Sequence, residues 1–258
     1  MFRDSKRSEG KRQNRLPFRF EMLERRNVLA AGAVDPDFGD NGVVLVDFYE
    51  RLDSANSVAI QDDGMIVVAG QANNPIALNR SRAEMAVARL DANGEPDLDF
   101  GEEGFALINF GDEIRGGGGG RIAASLAFQL DGKILVLGDD PPDSQFGLLR
   151  FNLIRLNSDG TSDLDFNGSG MVLSDQFTGN DLLVQPNGKI IVVGESQGEF
   201  GSQFFIGRIN EDGSFDEDFD DDGMVFTETN SAFGGAVAVT QQSDGKIVAA
   251  GFAETDAS

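Results

Sequence analysis

Four times along the chain the same order of phrases recurs: an acidic phrase closing on Phe, an apolar run, a Gln-x-[Asp/Asn]-Gly turn, and a second apolar run. The cleanest copy runs from Asp163 to Gly213. The acidic phrase brings Phe38, Phe100, Phe166 and Phe219 into register, and the turn does the same for Gly64, Gly132, Gly188 and Gly245. Successive phenylalanines are 62, 66 and 53 residues apart. That is long enough for one supersecondary unit per step, and self-similarity at such a period specifies an array rather than a set of unrelated domains.

Each unit reads as four strands. In the first they are Val43–Phe48, Ser57–Gln61, Met65–Ala69 and Met85–Leu90. Asp-Gly or Asn-Gly between two apolar β-branched runs is a strong hairpin signal, so a tight hairpin with a type I′ turn is expected at Gln61–Gly64, Gln129–Gly132, Gln185–Gly188 and Gln242–Gly245. The run after the turn is continuously apolar, as in Ile190-Ile-Val-Val193, and a strand without polar alternation is buried on both faces. A glycine follows it each time, at Gly70, Gly138, Gly194 and Gly251, where close backbone approach is expected. The last strand of the unit carries Arg89, Arg155 or Arg208. One Arg at one offset per unit points to packing, paired with an Asp of the neighbouring unit.

Antiparallel units that cannot bury both faces alone, repeated at a regular period, require an all-β β-propeller of four-stranded antiparallel blades. A β-sandwich has no need of near-identical turns at that period. About four units are present, spanning residues 34–96, 97–162, 163–214 and 215–258 of an array over 34–258, and the last stops before an Arg-bearing strand. The array therefore reads as an incomplete ring or as a piece of a longer one, with Phe18-Arg-Phe-Glu-Met-Leu as an alternative donor of a closing strand.

The linked motifs D-x-D-F-G-x-x-G, Q-x-D-G-K-I-V-V-A-G and R-x-N-x-D-G, in that order from Asp35 to Ala253, resemble the delta-60 repeat family of bacterial proteins. The resemblance implies β-propeller-like units in an exported, multi-copy repeat protein, and no particular activity. The chain departs from that family at Asp37, Asp99, Asp165 and Asp218, where Ser is more usual.

Charge divides the chain. Residues 1–30 hold nine Lys/Arg against four Asp/Glu, and the remainder twelve against forty, so the body carries −28 of a total −23. Such a body repels nucleic acid and anionic membranes. Residues 1–33 form a basic leader expected to be disordered or an export signal. Its apolar run, Val28–Val34, is too short to span a membrane, follows Arg25-Arg26 like a weakened twin-arginine signal, and offers Ala30, Ala31 and Ala33 for cleavage. The phrase L-E-R-R-N-V-L-A also resembles a short element near the start of exported bacterial repeat proteins. A leader that docks on the repeats is the competing reading.

The absence of Cys, His and Trp removes thiolate nucleophiles, His bases and His or Cys zinc sites. Asp163, Asp165 and Asn167, and again Asp216, Asp218 and Asp220, place oxygens at positions one, three and five, as a calcium loop does. Both copies lack the Glu at position twelve, where Ser174 and Thr227 stand, and the second has Asp221 in place of the loop glycine. A turn in which the Asp side chains bond their own backbone explains the same pattern. Calcium is accordingly the one metal to consider, and no other cofactor is implied. Arg115 and Arg121 flank five glycines without the Lys-Ser/Thr of a nucleotide loop, so that run reads as an inserted flexible loop. The connections Gln71–Ala83, Asp139–Gln145 and Glu195–Gln203 would emerge on one face, where propellers bind partners. The resulting expectation is a non-enzymatic, exported structural or binding module at the cell surface, with a surface protein or a glycan as partner. A carboxylate-based glycan hydrolase or lyase on a propeller scaffold is the alternative.

Overall fold

The computed structural model describes residues 33–48, 53–74, 82–108, 122–139, 151–174, 176–198, 201–231 and 233–254. Met1–Asp35 and Pro36–Ser258 form separate units, and every described strand belongs to the second. The leader up to residue 32, the Gly run, and most of the Gln71–Ala83 and Asp139–Gln145 connections lie outside the described residues.

Fourteen strands are described, arranged in consecutive antiparallel sheets. The first holds β1 (Ser54–Ile60), β2 (Ile66–Asn74), β3 (Arg82–Leu90) and β4 (Phe105–Ile108). The second holds β5 (Ile122–Phe128), β6 (Ile134–Asp139), β7 (Phe151–Leu156) and β8 (Met171–Ser174). The third holds β9 (Asp181–Val184), β10 (Ile190–Gly198), β11 (Gly201–Ile209) and β12 (Met224–Ser231). The fourth is the hairpin of β13 (Gly234–Gln241) and β14 (Ile247–Ala253). Within each sheet, strands are neighbours in chain order.

The sheets keep the sequence period but not its phase. The strand after the acidic phrase pairs back onto the Arg-bearing strand of the same sheet, β4 on β3 and β8 on β7, so it closes a sheet instead of opening the next. The reason lies in the phrase itself, which is a compact connection. Asp163 N–H donates to the Arg155 carbonyl at 3.0 Å, and Arg155 N–H donates to the Gly170 carbonyl at 3.1 Å, carrying the ladder across it. Residues 43–48, expected as a strand, take part only in isolated bridges at Val43. Glu195–Gln203, expected as a loop, is regular strand on both sides of a turn at Gly198 and Gly201.

The Gln-x-[Asp/Asn]-Gly hairpins are all present, with a different turn. Gly188 N–H donates to the Gln185 carbonyl at 2.9 Å and Gln185 N–H to the Lys189 carbonyl at 2.8 Å. Among the turn residues only Gly188 has positive φ, at 83°. This is a three-residue loop, a type I turn followed by a left-handed glycine, and not the two-residue type I′ turn. The residue before the glycine is Asp or Asn because its side chain accepts from the residue after it: Asn187 Oδ1 from Lys189 N–H at 3.2 Å, and Asp63 Oδ1 from Met65 N–H at 3.0 Å.

The apolar second strands form the core. Ile190, Ile191, Val192 and Val193 are all fully buried, with alternate residues facing opposite neighbours. Each such side chain contributes about 1.5 to 3 kcal/mol on leaving water. One cluster joins Val67, Ala69 and Met85 of the first sheet to Leu126, Ile134 and Val136 of the second. The next joins Leu135 and Leu137 to Leu182, Ile190 and Val192. The last joins Ile191 and Val193 to Ala236 and, less deeply, Ile247 and Ala249 of the hairpin. The sheets therefore stack in chain order, each shielding the next.

Gly70, Gly194 and Gly251, which follow the apolar runs of the second strands of their sheets, sit where another stretch of backbone passes close by. A Cβ on Gly194 would lie 2.0 Å from the Thr178 carbonyl oxygen, and one on Gly70 1.8 Å from that of Ser54. Gly194→Ala should lower the free energy of unfolding by at least about 1 to 3 kcal/mol, as overpacking does. Urea denaturation measures it, and an unchanged midpoint would contradict this close approach.

Candidate functional site

The polar residues that repeat converge on one constellation. Arg155 rises from β7 opposite Leu135 of β6, and its chain neighbourhood turns back at Asn157–Thr161, so the acidic phrase returns beside it. Its Nε donates to Asp163 Oδ2 at 2.7 Å, with both side chains 7% exposed. The guanidinium lies over the Phe166 ring, 4.5 Å from its centroid, within cation–π range. One Nη donates to the Glu211 carbonyl of the third sheet, and also to Gln129 Oε1 at 3.3 Å. Arg89 repeats the pattern with Asp97 at 2.6 Å, Phe100 at 4.7 Å and the Ser158 carbonyl of the second sheet. Arg208 pairs with Asp216 and covers Phe219 at 4.6 Å.

The Arg–Asp pairing expected from the sequence is thus present. By sequence count the Asp opens the following unit, yet it lies in the same sheet as its Arg. The neighbouring sheet contributes a backbone carbonyl instead. A second strap runs beside it: the residue after the phrase Phe donates its N–H to the next sheet's polar turn, Gly101 to Asp159 at 2.7 Å and Asn167 to Asp212 at 2.6 Å.

Of the residues proposed for calcium, Asp163 and Asp216 are buried at the centre of this arrangement, and Asp165, Asn167, Asp218 and Asp220 are not equally so. Asp163 Oδ2 also meets Lys133 Nζ at 3.0 Å, and Asp216 Oδ2 meets Lys189 Nζ at 2.5 Å. Their remaining oxygens accept from the phrase backbone, Asp163 Oδ1 from Asp165 N–H at 3.2 Å and Asp216 Oδ1 from Asp218 N–H at 3.4 Å. Asn167 Nδ2 donates to the Met171 carbonyl at 3.0 Å. Its φ is 50° and that of Asp220 is 54°. Asn and Asp stand there because they tolerate left-handed backbone better than other non-glycine residues. Among the described residues no group of three or more His, Cys, Asp or Glu side chains could hold a metal ion.

Burial resists charging of Asp163, but Lys133 and Arg155 outweigh it and hold its carboxyl below the usual carboxylate range. For Asp216 the contact with Lys189 does most, with burial opposing and Arg208 adding to the depression. Asp212 is lowered chiefly by the Ser214 hydroxyl, and Asp159 by that of Thr161.

A polar recess of about 420 Å³ opens beside the constellation between the second and third sheets, lined by Gln129, Lys133, Arg155, Asp165, Glu211 and Asp212 among others. Sequence reasoning did not single out Phe177. It lies between Phe151 of β7, at 5.3 Å between ring centroids, and Phe205 of β11, stacked at 3.8 Å, and it plugs the seam between these sheets. Its position in the link ahead of β9 lies outside any repeated phrase, so no sequence signal marked it. Gln61 and Gln185 occupy the place of Gln129, yet among the described residues their buried Oε1 atoms have no hydrogen-bond partner.

A family model described as a domain of unknown function (DUF5122) beta-propeller matches residues 61–100, 129–166 and 185–219. Each match runs from the Gln of the hairpin turn to the Phe of the acidic phrase, so each falls within one sheet. No curated protein matches the chain. The fold is an all-β β-propeller of repeated four-stranded antiparallel blades, and the last blade shows two strands among the described residues.

Three outcomes follow from this geometry. Arg155→Ala should cost about 3 kcal/mol, the low end for breaking a buried pair, since it leaves the buried Asp163 with Lys133 alone as its cation, and Arg208→Ala less, because Arg208 is 21% exposed; urea denaturation of both variants tests the order. The depressed Asp163 and Asp216 contribute stability that is fully present above the unfolded carboxylate value near about 3.9 and is lost as pH falls through the lower folded values. Acid unfolding should therefore begin below about pH 4, and Asp163→Asn should flatten its pH dependence. Millimolar calcium should leave the melting temperature unchanged, because a cation would have to displace both Lys133 and Arg155; a rise would restore the metal reading.

Proposed function

We propose that this propeller is a non-enzymatic repeat protein of the delta-60 type, exported by its leader and acting as a structural or binding module at the cell surface, with a surface protein or a glycan as partner. The observation that carries the reading is the use to which the acids and cations are put. Asp163 and Asp216, the carboxylates with depressed pKa, are tied to Arg and Lys of the architecture at equivalent places in the second and third sheets. Hydrolysis of a glycosidic bond asks instead for two acids on either side of one substrate bond, one of them held protonated. Sites on propellers are added by the residues that do not repeat.

Export is supported by the sequence of the leader, with Arg25-Arg26 ahead of a short apolar run and small residues, and by the acidity of the body that follows. No described helix is long and apolar enough to cross a membrane. Binding at the face that bears the strand connections fits the variation of those connections among units otherwise alike.

The tagged full chain should appear outside the cytoplasm and remain inside when residues 1–33 are removed; cell fractionation decides, and retention of the intact chain in the cytoplasm would overturn the surface role. Incubation with a panel of bacterial polysaccharides should give binding without cleavage. Turnover abolished by a single Asp or Glu substitution would replace the binding module by an enzyme.

A further inference from the structure

The polar recess of about 420 Å³ beside Arg155 opens on a seam inside the array, with the second sheet on one side and the third on the other. Its walls belong to the end of the sheets that bears the hairpin turns and the acidic phrases. The connections from β2 to β3 and from β10 to β11 lie at the other end. Its volume falls within the range of about 300 to 1,000 Å³ that small-molecule sites occupy.

Gln129 lines this recess and is only 8% exposed. Its Oε1 accepts from Arg155 at 3.3 Å, while its Nε2 keeps open surface and has no partner among the described residues. A donor held this deep costs free energy unless something accepts from it. Asp165 and Glu211 also line the recess, and their carboxylates accept no hydrogen bond from a described residue. Glu211 Oε1 lies over the hairpin turn, 1.8 Å from where a Cβ on Gly188 would be, so the glycine leaves the carboxylate its place.

Charge and hydrogen bonding together select the ligand. Four carboxylates line the recess against Lys133 and Arg155, and both of those cations are already bound to Asp163. The field inside is therefore negative and repels an anion. A cation would meet the carboxylates but would leave Gln129 Nε2 without an acceptor. A hydroxyl both donates and accepts, so a ligand with several adjacent hydroxyls and no charge satisfies the amide and the carboxylates at once.

The residues that face the recess are also ones in which the seams differ. Arg89 reaches the Ser158 carbonyl as Arg155 reaches that of Glu211, which makes Ser158 the equivalent of Glu211 at the seam between the first and second sheets. Met65 stands there in the place of Lys133. Glu211 and Lys133 are thus additions to the common architecture, and sites on a shared scaffold are made by such additions. We propose that this recess binds a neutral sugar residue of a polysaccharide, with Gln129 Nε2 donating to one hydroxyl and Asp165 and Glu211 accepting from others. The assignment rests on the reading of the protein as a binding module with a glycan as partner, and it adds a site at the turn end of the sheets.

Titration calorimetry of the full chain tests it, with maltohexaose, cellohexaose and mannohexaose as neutral probes, polygalacturonate as an anionic probe and fully deacetylated chitosan hexamer as a cationic one. At least one neutral probe should bind at millimolar concentration or below, and neither charged probe should bind more tightly. Gln129→Glu keeps an oxygen for Arg155 and removes the donor, and Glu211→Gln removes a carboxylate at constant shape. Each should weaken binding at least about fivefold, as loss of a hydrogen bond in a site does, with the melting temperature unchanged. Glu228→Gln on β12, the same change of charge away from the recess, should leave binding as it was. Neutral probes bound equally well by both recess variants overturn the site and leave the binding module standing. A charged probe bound in preference overturns the ligand class. Binding of none of the saccharides overturns the site together with the glycan as partner, and leaves a surface protein as the partner of the module.

Discussion

The arginine guanidinium that is bonded to a carboxylate, laid over a phenylalanine ring and aimed at the next sheet's backbone is the contact on which the array depends. Each of those three contacts uses a different property of the group. Its fork meets the carboxylate, its flat face meets the ring, and its outer nitrogen is left free to reach a carbonyl across the seam. Lysine offers a compact point charge without the planar fork that lets one group meet carboxylate, ring and carbonyl together. In the second sheet Arg155 and Asp163 are each 7% exposed, so both charges are largely shielded from water, and the carboxylate is held by Arg155 together with Lys133. Buried pairs of this sort add little net stability compared with an apolar substitute, but they penalise any arrangement that separates them. Here the penalty falls on a wrong register between sheets, because the third contact, to Ser158 or Glu211, exists only when adjacent sheets are correctly offset.

The apolar strands supply the complementary part. They drive stacking without much preference for position, since Ile190 to Val193 present methyl groups to both sides and the hydrophobic effect is not directional. Stacking from burial and offset from the arginines together define the array, and neither would do so alone.

Period, hairpins and doubly buried strands were legible in the sequence because each rests on local chemistry: a glycine forced to positive φ, an Asp or Asn that closes its own turn, a run with no polar residue. The phase of the sheets was not legible. The acidic phrase looks like a boundary between units, being polar and rich in glycine, and only the bonds between Arg155 and Gly170 show that it joins two strands of one sheet. The turn type was misjudged for a similar reason. Asn-Gly marks both a two-residue loop and a three-residue loop with a left-handed glycine, and the count of loop residues depends on where the ladder closes, here between Gln185 and Lys189. Of the candidate site, the Arg–Asp pairing was readable from its repetition, whereas the third contact across the seam, made by a backbone carbonyl, leaves no trace in side-chain identity.

The resemblance of the acidic phrase to a calcium loop has a physical origin in backbone conformation. Positions one, three and five of D-L-D-F-N carry oxygen for separate reasons. The first is the partner of the arginine, the third lies on the exposed side of the turn, and the fifth is Asn, Asp or Gly because φ there lies between 50° and 57° in all four copies. A cation loop selects the same residue types because it needs oxygens on a tightly turned backbone, and a tightly turned backbone by itself selects them too. What separates the two is where the first carboxylate points. In this protein it points at Arg155 and Lys133, so the charge a metal would neutralise is already neutralised by the fold.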